Sequence, residues 1–145
     1  MKKIFLFLCF GVLIGMTSFA QCGKTITWTA AKAEFLDDSG RVQDTKDVTV
    51  TIHTSSKRIT IIHSDDESDS LAGAVKDVAC VWKDAFKNGK STIKADLMEK
   101  NGEYNSSTII IEAKDSKIII NLSFQAPDGS KKQIRIPIDS YKEEG

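Results

Sequence analysis

The groups in this chain able to do chemistry are few and far apart. Cys9, Cys22 and Cys80 carry the thiols, and His53 and His63 the imidazoles, in a chain of 145 residues. No two cysteines stand as Cys-x-x-Cys, and no Cys/His spacing suits zinc. There is no Gly-x-Ser-x-Gly elbow, phosphate-binding glycine loop or His-Glu-x-x-His run. Neither Cys22 nor Cys80 has a histidine close in sequence to act as its base. Carboxylates are plentiful, but they fall mainly in turns and on outward faces, and no pair with a glycosidase-like separation emerges. The acidic run Asp65–Asp69 could hold a cation, yet it lacks the spacing and glycine of a calcium loop and reads as a solvated loop. These absences predict a protein with no catalytic residues, no metal and no cofactor.

The side chains best suited to holding something are Trp28 and Trp82. With His63 and Phe124 they are expected on one interior face, where aromatic groups and one polar group could line a cavity for a small apolar ligand. The simpler alternative is two tryptophans filling a core. Ile110 and Ile119 are expected on the outer face, where they could contribute to an apolar interaction patch. The two histidines fall on opposite faces of one hairpin, which argues against a shared metal.

The start of the chain sets its compartment. Lys2 and Lys3 precede an apolar core, Ile4–Ile14, and Thr17-Ser18-Phe19-Ala20 places small residues before a cut. That is the layout of a signal peptide over residues 1–20, cleaved after Ala20. The apolar core is short for a membrane span, which needs about 20 residues. Lipoprotein processing at Cys22 is the rival, but Gln21 stands where a small residue is wanted. The mature chain, residues 21–145, suits one domain, periplasmic or secreted. With Lys and Arg totalling 20 against 20 Asp and Glu, and the signs interspersed, there is no basic stripe for nucleic acid. After cleavage Cys22 and Cys80 remain, allowing one disulfide that would contribute about 4 kcal/mol in the chain-entropy model.

The elements that must position these groups are strands. In Ser107–Phe124, two β-branched runs flank Asp115-Ser116, a hairpin signature. A tip there sets Ile111 against Ile120, Ile109 against Leu122 and Ala113 against Ile118, leaving one face apolar. Thr25–Ala30 alternates strictly, then falters at Ala31–Ala33, which predicts a bulge. Asp37-Asp38-Ser39-Gly40 is a turn, and Arg41–Lys46 a polar loop. Asp47–His63 is a second hairpin, with Ile52 expected opposite Ile59, Val50 opposite Ile61 and Val48 opposite His63. Ser91–Met98 should pair with the central hairpin, Ile93 opposite Ile111 and Ala95 opposite Ile109. Pro127-Asp128-Gly129 predicts a three-residue loop with a G1 bulge, pairing Leu122 with Ile134, Ile120 with Ile136 and Ile118 with Ile138. Pro137 places the last strand at an edge or seam, and Tyr141–Gly145 reads as a polar tail.

One stretch is two-sided. Leu71, Val75, Val78, Trp82 and Phe86 fall at helical spacing, with Gly89 as a stop. The rival is a strand over Asp77–Lys83 that carries Val78, Cys80 and Trp82 on one face and turns through Asn88-Gly89. A continuous meander closes more simply with the strand. The expected fold is therefore mostly β, an antiparallel meander of seven or eight strands. The alternative is an α+β domain with a helix over residues 71–87 packed on the sheet.

The run of strands from Ile26 to Ile138, with Ser107–Leu122 and the Trp28 strand most characteristic, resembles small exported lipocalin-like (calycin-type) β-barrel proteins of Gram-negative bacteria. It departs from lipocalins proper in lacking Gly-x-Trp, since Ile26-Thr27 precede Trp28. The resemblance implies a small barrel and, with the aromatic interior, a non-catalytic protein that binds an apolar or amphipathic small molecule. The second expectation is a protein-interaction or inhibitor module of the cell envelope with a filled core.

Overall fold

The computed structural model describes residues 22–64, 66–126 and 128–145, and the side chains of residues 66–69 are left aside. Residues 1–21, where the signal peptide is expected, Asp65 and Pro127 lie outside the described residues. The chain forms β1 (Thr25–Leu36), β2 (Val42–Thr54), β3 (Arg58–His63), β4 (Asp66–Asp84), β5 (Asn88–Met98), β6 (Tyr104–Lys114), β7 (Lys117–Gln125), β8 (Lys131–Pro137) and β9 (Ser140–Glu144). All pairings are antiparallel, each strand from β1 to β8 beside the next, and β1 closes the circle against both β2 and β8–β9. The last two segments act as one stave: β8 meets β1 at Glu34–Leu36, and β9 continues along Thr25–Thr29. The fold is an eight-staved, all-β meander barrel. No helix occurs among the described residues.

The alternation read from the sequence builds the wall. Ile26, Trp28 and Ala30 of β1, Ile109 and Ile111 of β6, and Ile118, Ile120 and Leu122 of β7 are buried inside, with Ile52, Ile59 and Ile61. The β6–β7 register is the expected one, Ile111 against Ile120 and Ile109 against Leu122. Asp115 and Ser116 both have positive φ, 51° and 64°, as a two-residue type I′ turn requires. The β7–β8 register also follows expectation, and Gly129 supplies its positive φ of 85°. Ile138 N–H donates to Ile118 O at 2.9 Å. By alternation, Pro137 then turns its nitrogen to the other side, where β1 pairing has already stopped at Arg135. The proline thus sits at the seam between β8 and β9, where no donor is needed. The predicted bulge in β1 lies between Ala30 and Lys32, and it switches parity so that Ala33 is buried.

Several expectations are corrected. Residues 71–84 are strand, in a β4 of 19 residues, and the helix alternative falls. The helical spacing is a by-product of a bulge between Val75 and Asp77 that shifts the inward parity. The tip of the next hairpin is Ala85–Lys87, while Asn88 and Gly89 belong to β5. Arg41–Lys46 is not a loop, because β2 begins at Val42 and pairs with β1. The polar tail is β9, and the acidic run enters β4 at Asp66. Two registers move by two residues: Ile52 faces Ile61 and Val50 faces His63, while Ile93 faces Ile109 and Ala95 faces Ser107. A shift of two keeps every side chain on its face, so hydrophobic pattern cannot detect it; the turns decide. Ser55 Oγ accepts from Lys57 and Arg58 N–H at 3.3 and 3.0 Å, which fixes a longer loop. Gly102, at φ 82°, helps close Glu99–Glu103 by a Glu99 N–H to Glu103 O bond of 2.8 Å.

Turn chemistry is local elsewhere too. The Asp37 carboxylate accepts from the Ser39 hydroxyl and from Arg41 N–H, which hold its pKa below the usual value, and Asp128 is lowered likewise by the Ser130 hydroxyl and N–H.

β4 is the longest strand, at 19 residues, and Gly73 is where it comes closest to the backbone of β5. A Cβ there would stand 1.8 Å from the carbonyl oxygen of Asp96. Glycine in a strand interior marks such close approach. Gly73→Ala is expected to destabilise by about 2–3 kcal/mol, the order of an overpacked core site. Chemical denaturation checks this, and an unchanged midpoint would refute the close approach.

Candidate functional site at the tryptophan end of the barrel

The hairpin tips divide between two ends. The β2–β3, β4–β5 and β6–β7 tips, the start of β1 and the end of β9 share one end. Trp28 and Trp82 lie toward it. His63 and Phe124 sit next to the turns of the other end. The four residues expected around one cavity are therefore split into two pairs. Alternation assigns a face but not a height along the barrel axis, which is why the sequence grouped them. His63 is half-buried on the inward parity of β3, opposite Val50. Phe124 is half-buried beside a void of about 10 Å³ lined by Leu71, Leu97, Asn105 and Ser107. His53 is on the outer face, its Nδ1 2.9 Å from Thr27 Oγ1. Among the described residues no group of three or more His, Cys, Asp or Glu side chains is placed to share a metal ion.

The tryptophan end is an aromatic layer. Trp28 is fully buried, and its Nε1–H donates to Thr54 Oγ1 at 2.9 Å. Trp82 Nε1–H donates to Ser91 Oγ at 2.9 Å, and the Ser91 hydroxyl turns on to Cys80 Sγ at 3.3 Å. Thr54 and Ser91 are thus buried polar residues that satisfy the two indoles. Between the indoles stands Phe86, which sequence reasoning had placed only as a helix-spaced residue. Its ring meets Trp28 edge-on at 5.4 Å and Trp82 at 5.2 Å. Tyr141 covers the stack from β9, 5.2 Å from Phe86 and 5.5 Å from Trp28. Nothing in the polar surroundings of Tyr141 announced this; its signal is only that of one aromatic in an otherwise charged run.

Phe86 reaches inward because its backbone takes the left-handed conformation, φ 54°. For a bulky non-glycine residue this conformation is a genuine outlier, with a cost of order 1 kcal/mol. Aromatic contacts worth about 0.5–1.5 kcal/mol each offset it. Gly89 lets the tip fold down, since a Cβ there would come within 2.4 Å of Val81 O.

The space left over is small. A void of about 20 Å³ lies among Cys22, Ile26, Trp28, Thr54, Phe86 and Ser91, room for about one water. Cys22 is bonded to Cys80 across 58 residues, with the Cα atoms 5.8 Å apart. The disulfide is consistent with an oxidising compartment outside the cytoplasm. Lys24 Nζ contacts Glu143 at 2.6 Å, tying the entering chain to β9.

The likeness to calycin-type barrels holds at the level of the meander alone. Compared with known proteins, the chain matches no family model, no curated protein and no solved structure.

Proposed function

We propose that this protein is a non-catalytic interaction module of an oxidising compartment, periplasmic or secreted, that works through its outer surface on a filled barrel. The observation that carries this reading is the packed interior: Trp28, Ile52, Ile59, Ile61, Ile109 and Ile120 are fully buried, and the voids at the tryptophan end and beside Phe124 hold only about 20 and 10 Å³, each far below the roughly 300 Å³ of an ordinary small-molecule pocket. The disulfide and the charged-apolar-small layout of residues 1–20 support export.

A second reading keeps the small-ligand expectation in narrower form. Phe86, held between two indoles on an unfavourable backbone, is a group that a planar apolar ligand could replace. Intrinsic fluorescence separates the two readings. Titration with hydrophobic dyes and fatty acids should leave Trp28 and Trp82 emission unchanged, and the native mass should be that of the bare polypeptide. A saturable response that Phe86→Ala strengthens by about tenfold or more, the affinity equivalent of one released ring, would overturn the first reading for the second.

A further inference from the structure

The β4–β5 hairpin outruns its neighbour. β3 pairs with β4 only as far as Arg58 opposite Ala74, followed by a last bond from Val75 N–H to Lys57 O. From Lys76 to Asp84 the strand is held by β5 on one side, and among the described residues no backbone bond reaches its other side. Proteins usually blunt such an edge by making it short, or by setting charges or proline along it. β9 is blunted in this way, five residues reading Ser-Tyr-Lys-Glu-Glu. The free edge of β4 has an apolar middle instead, Val78-Ala79-Cys80-Val81-Trp82, with charges only at its ends. Val81 points out and is 70% exposed, the most exposed of the large apolar residues among those described.

The charges at the two ends read as a near-palindrome. The run is Lys76-Asp77-Val78-Ala79-Cys80-Val81-Trp82-Lys83-Asp84. Counted antiparallel against a second copy with Cys80 at the two-fold axis, Asp77 falls opposite Lys83, the bulge residue between Trp82 and Asp84, and Lys76, the bulge residue after Val75, falls opposite Asp84. Ala79 falls opposite Val81. Both charge pairs recur by symmetry, so four complementary contacts flank one apolar centre. Lys76 already meets Asp96 within its own chain, which leaves Asp77 and Lys83 as the discriminating pair. Asp77, Ala79, Val81 and Lys83 are all exposed. Cys80 shares its parity with Val78 and Trp82, which pack on the core, so its bond to Cys22, whose Cα lies 5.8 Å from its own, leaves from the inward face of the strand.

We infer that the free edge of β4 from Lys76 to Asp84 is a self-recognition strand, on which a second copy of this chain adds edge to edge in antiparallel register about Cys80. This deepens the interaction reading by naming the surface and the partner, and it rests on the open edge rather than on the filled core. Strand addition of this kind draws affinity from main-chain bonds and specificity from alternate side chains.

The test is a charge exchange read by sedimentation of the disulfide-bonded protein across a concentration series. The unaltered protein is expected to dimerise. Lys83→Asp sets like charges opposite each other twice and should weaken the dimer by at least about tenfold. Asp77→Lys combined with Lys83→Asp restores the complementarity and should return the dimer to within about threefold of the original. Circular dichroism of each variant confirms that the barrel is intact. A monomer throughout the series overturns the inference, as does a dimer that ignores Lys83→Asp or is not rescued by the double exchange. The interaction reading itself would fall separately, on a dye response of the native tryptophans.

Discussion

Trp28→Ala is expected to remove about 3–5 kcal/mol of stability, the range for deleting a buried aromatic side chain. That is a large share of the roughly 5–15 kcal/mol that holds a domain of this kind together. Trp28 is fully buried, touches Phe86 and Tyr141, and gives its indole proton to Thr54. The truncation therefore opens a hole, strands the Phe86 ring beside it, and removes a donor from a buried hydroxyl. The urea midpoint should fall by about 2 M at an ordinary slope for this size. Trp28→Phe separates the contributions: it keeps an aromatic body and loses the hydrogen bond, so a smaller loss of about 1–2 kcal/mol is expected. Thr54 keeps its own bond to Ile26 O at 3.4 Å. If Trp28→Ala unfolded at the midpoint of the unaltered protein, the aromatic layer would contribute nothing to stability.

Reduction of the Cys22–Cys80 bond is the second large effect. The bridge closes a loop of 58 residues, for which the chain-entropy model gives about 4 kcal/mol, most of it by restricting the unfolded chain. Cys22→Ser with Cys80→Ser should reproduce what a reductant does to the unaltered protein, and the reductant should leave the double variant alone. Two free thiols titrated in the unfolded, unreduced protein would remove the bridge and the prediction together. The local consequence is readable as well, because Cys80 Sγ is the acceptor at the end of the Trp82–Ser91 chain. Loss of the bridge should therefore alter Trp82 emission before global unfolding.

The face of each strand was legible wherever apolar residues alternated over several positions, as in Ile109–Ala113 against Ile118–Leu122. Turns whose chemistry is written in the residue types, such as Asp128-Gly129, were legible too. Register was legible only modulo two. Ile52 meets Ile61 rather than Ile59 because Ser55 caps a longer loop, and no alternation distinguishes these. β9 escaped notice because Ser-Tyr-Lys-Glu-Glu shows no apolar alternation; its one inward aromatic, Tyr141, is the only mark of the face it turns to the core. The candidate site was half legible. Trp28 and Trp82 do face inward, but the residue between them depends on a left-handed backbone at Phe86, a conformation that phenylalanine gives no reason to expect.

The seam where β1 meets β9 sets an order of events for a chain that emerges from its amino end. Thr25 pairs with Glu144, and Lys24 with Glu143, so the first strand finds its last neighbour only once residues 140–144 are available. Until then β1 has β2 along its length and β8 only at Glu34–Leu36, and the Thr25–Thr29 side lies open. Hairpins can form as they appear, each on a microsecond scale, but this end of the wall closes last. A chain cut short of Ser140 would keep that stretch open, with Trp28 uncovered by Tyr141. Closure of the wall at this end is thereby coupled to the arrival of residues 140–144: they act as a latch, and an unlatched barrel is a substrate for proteases and for aggregation.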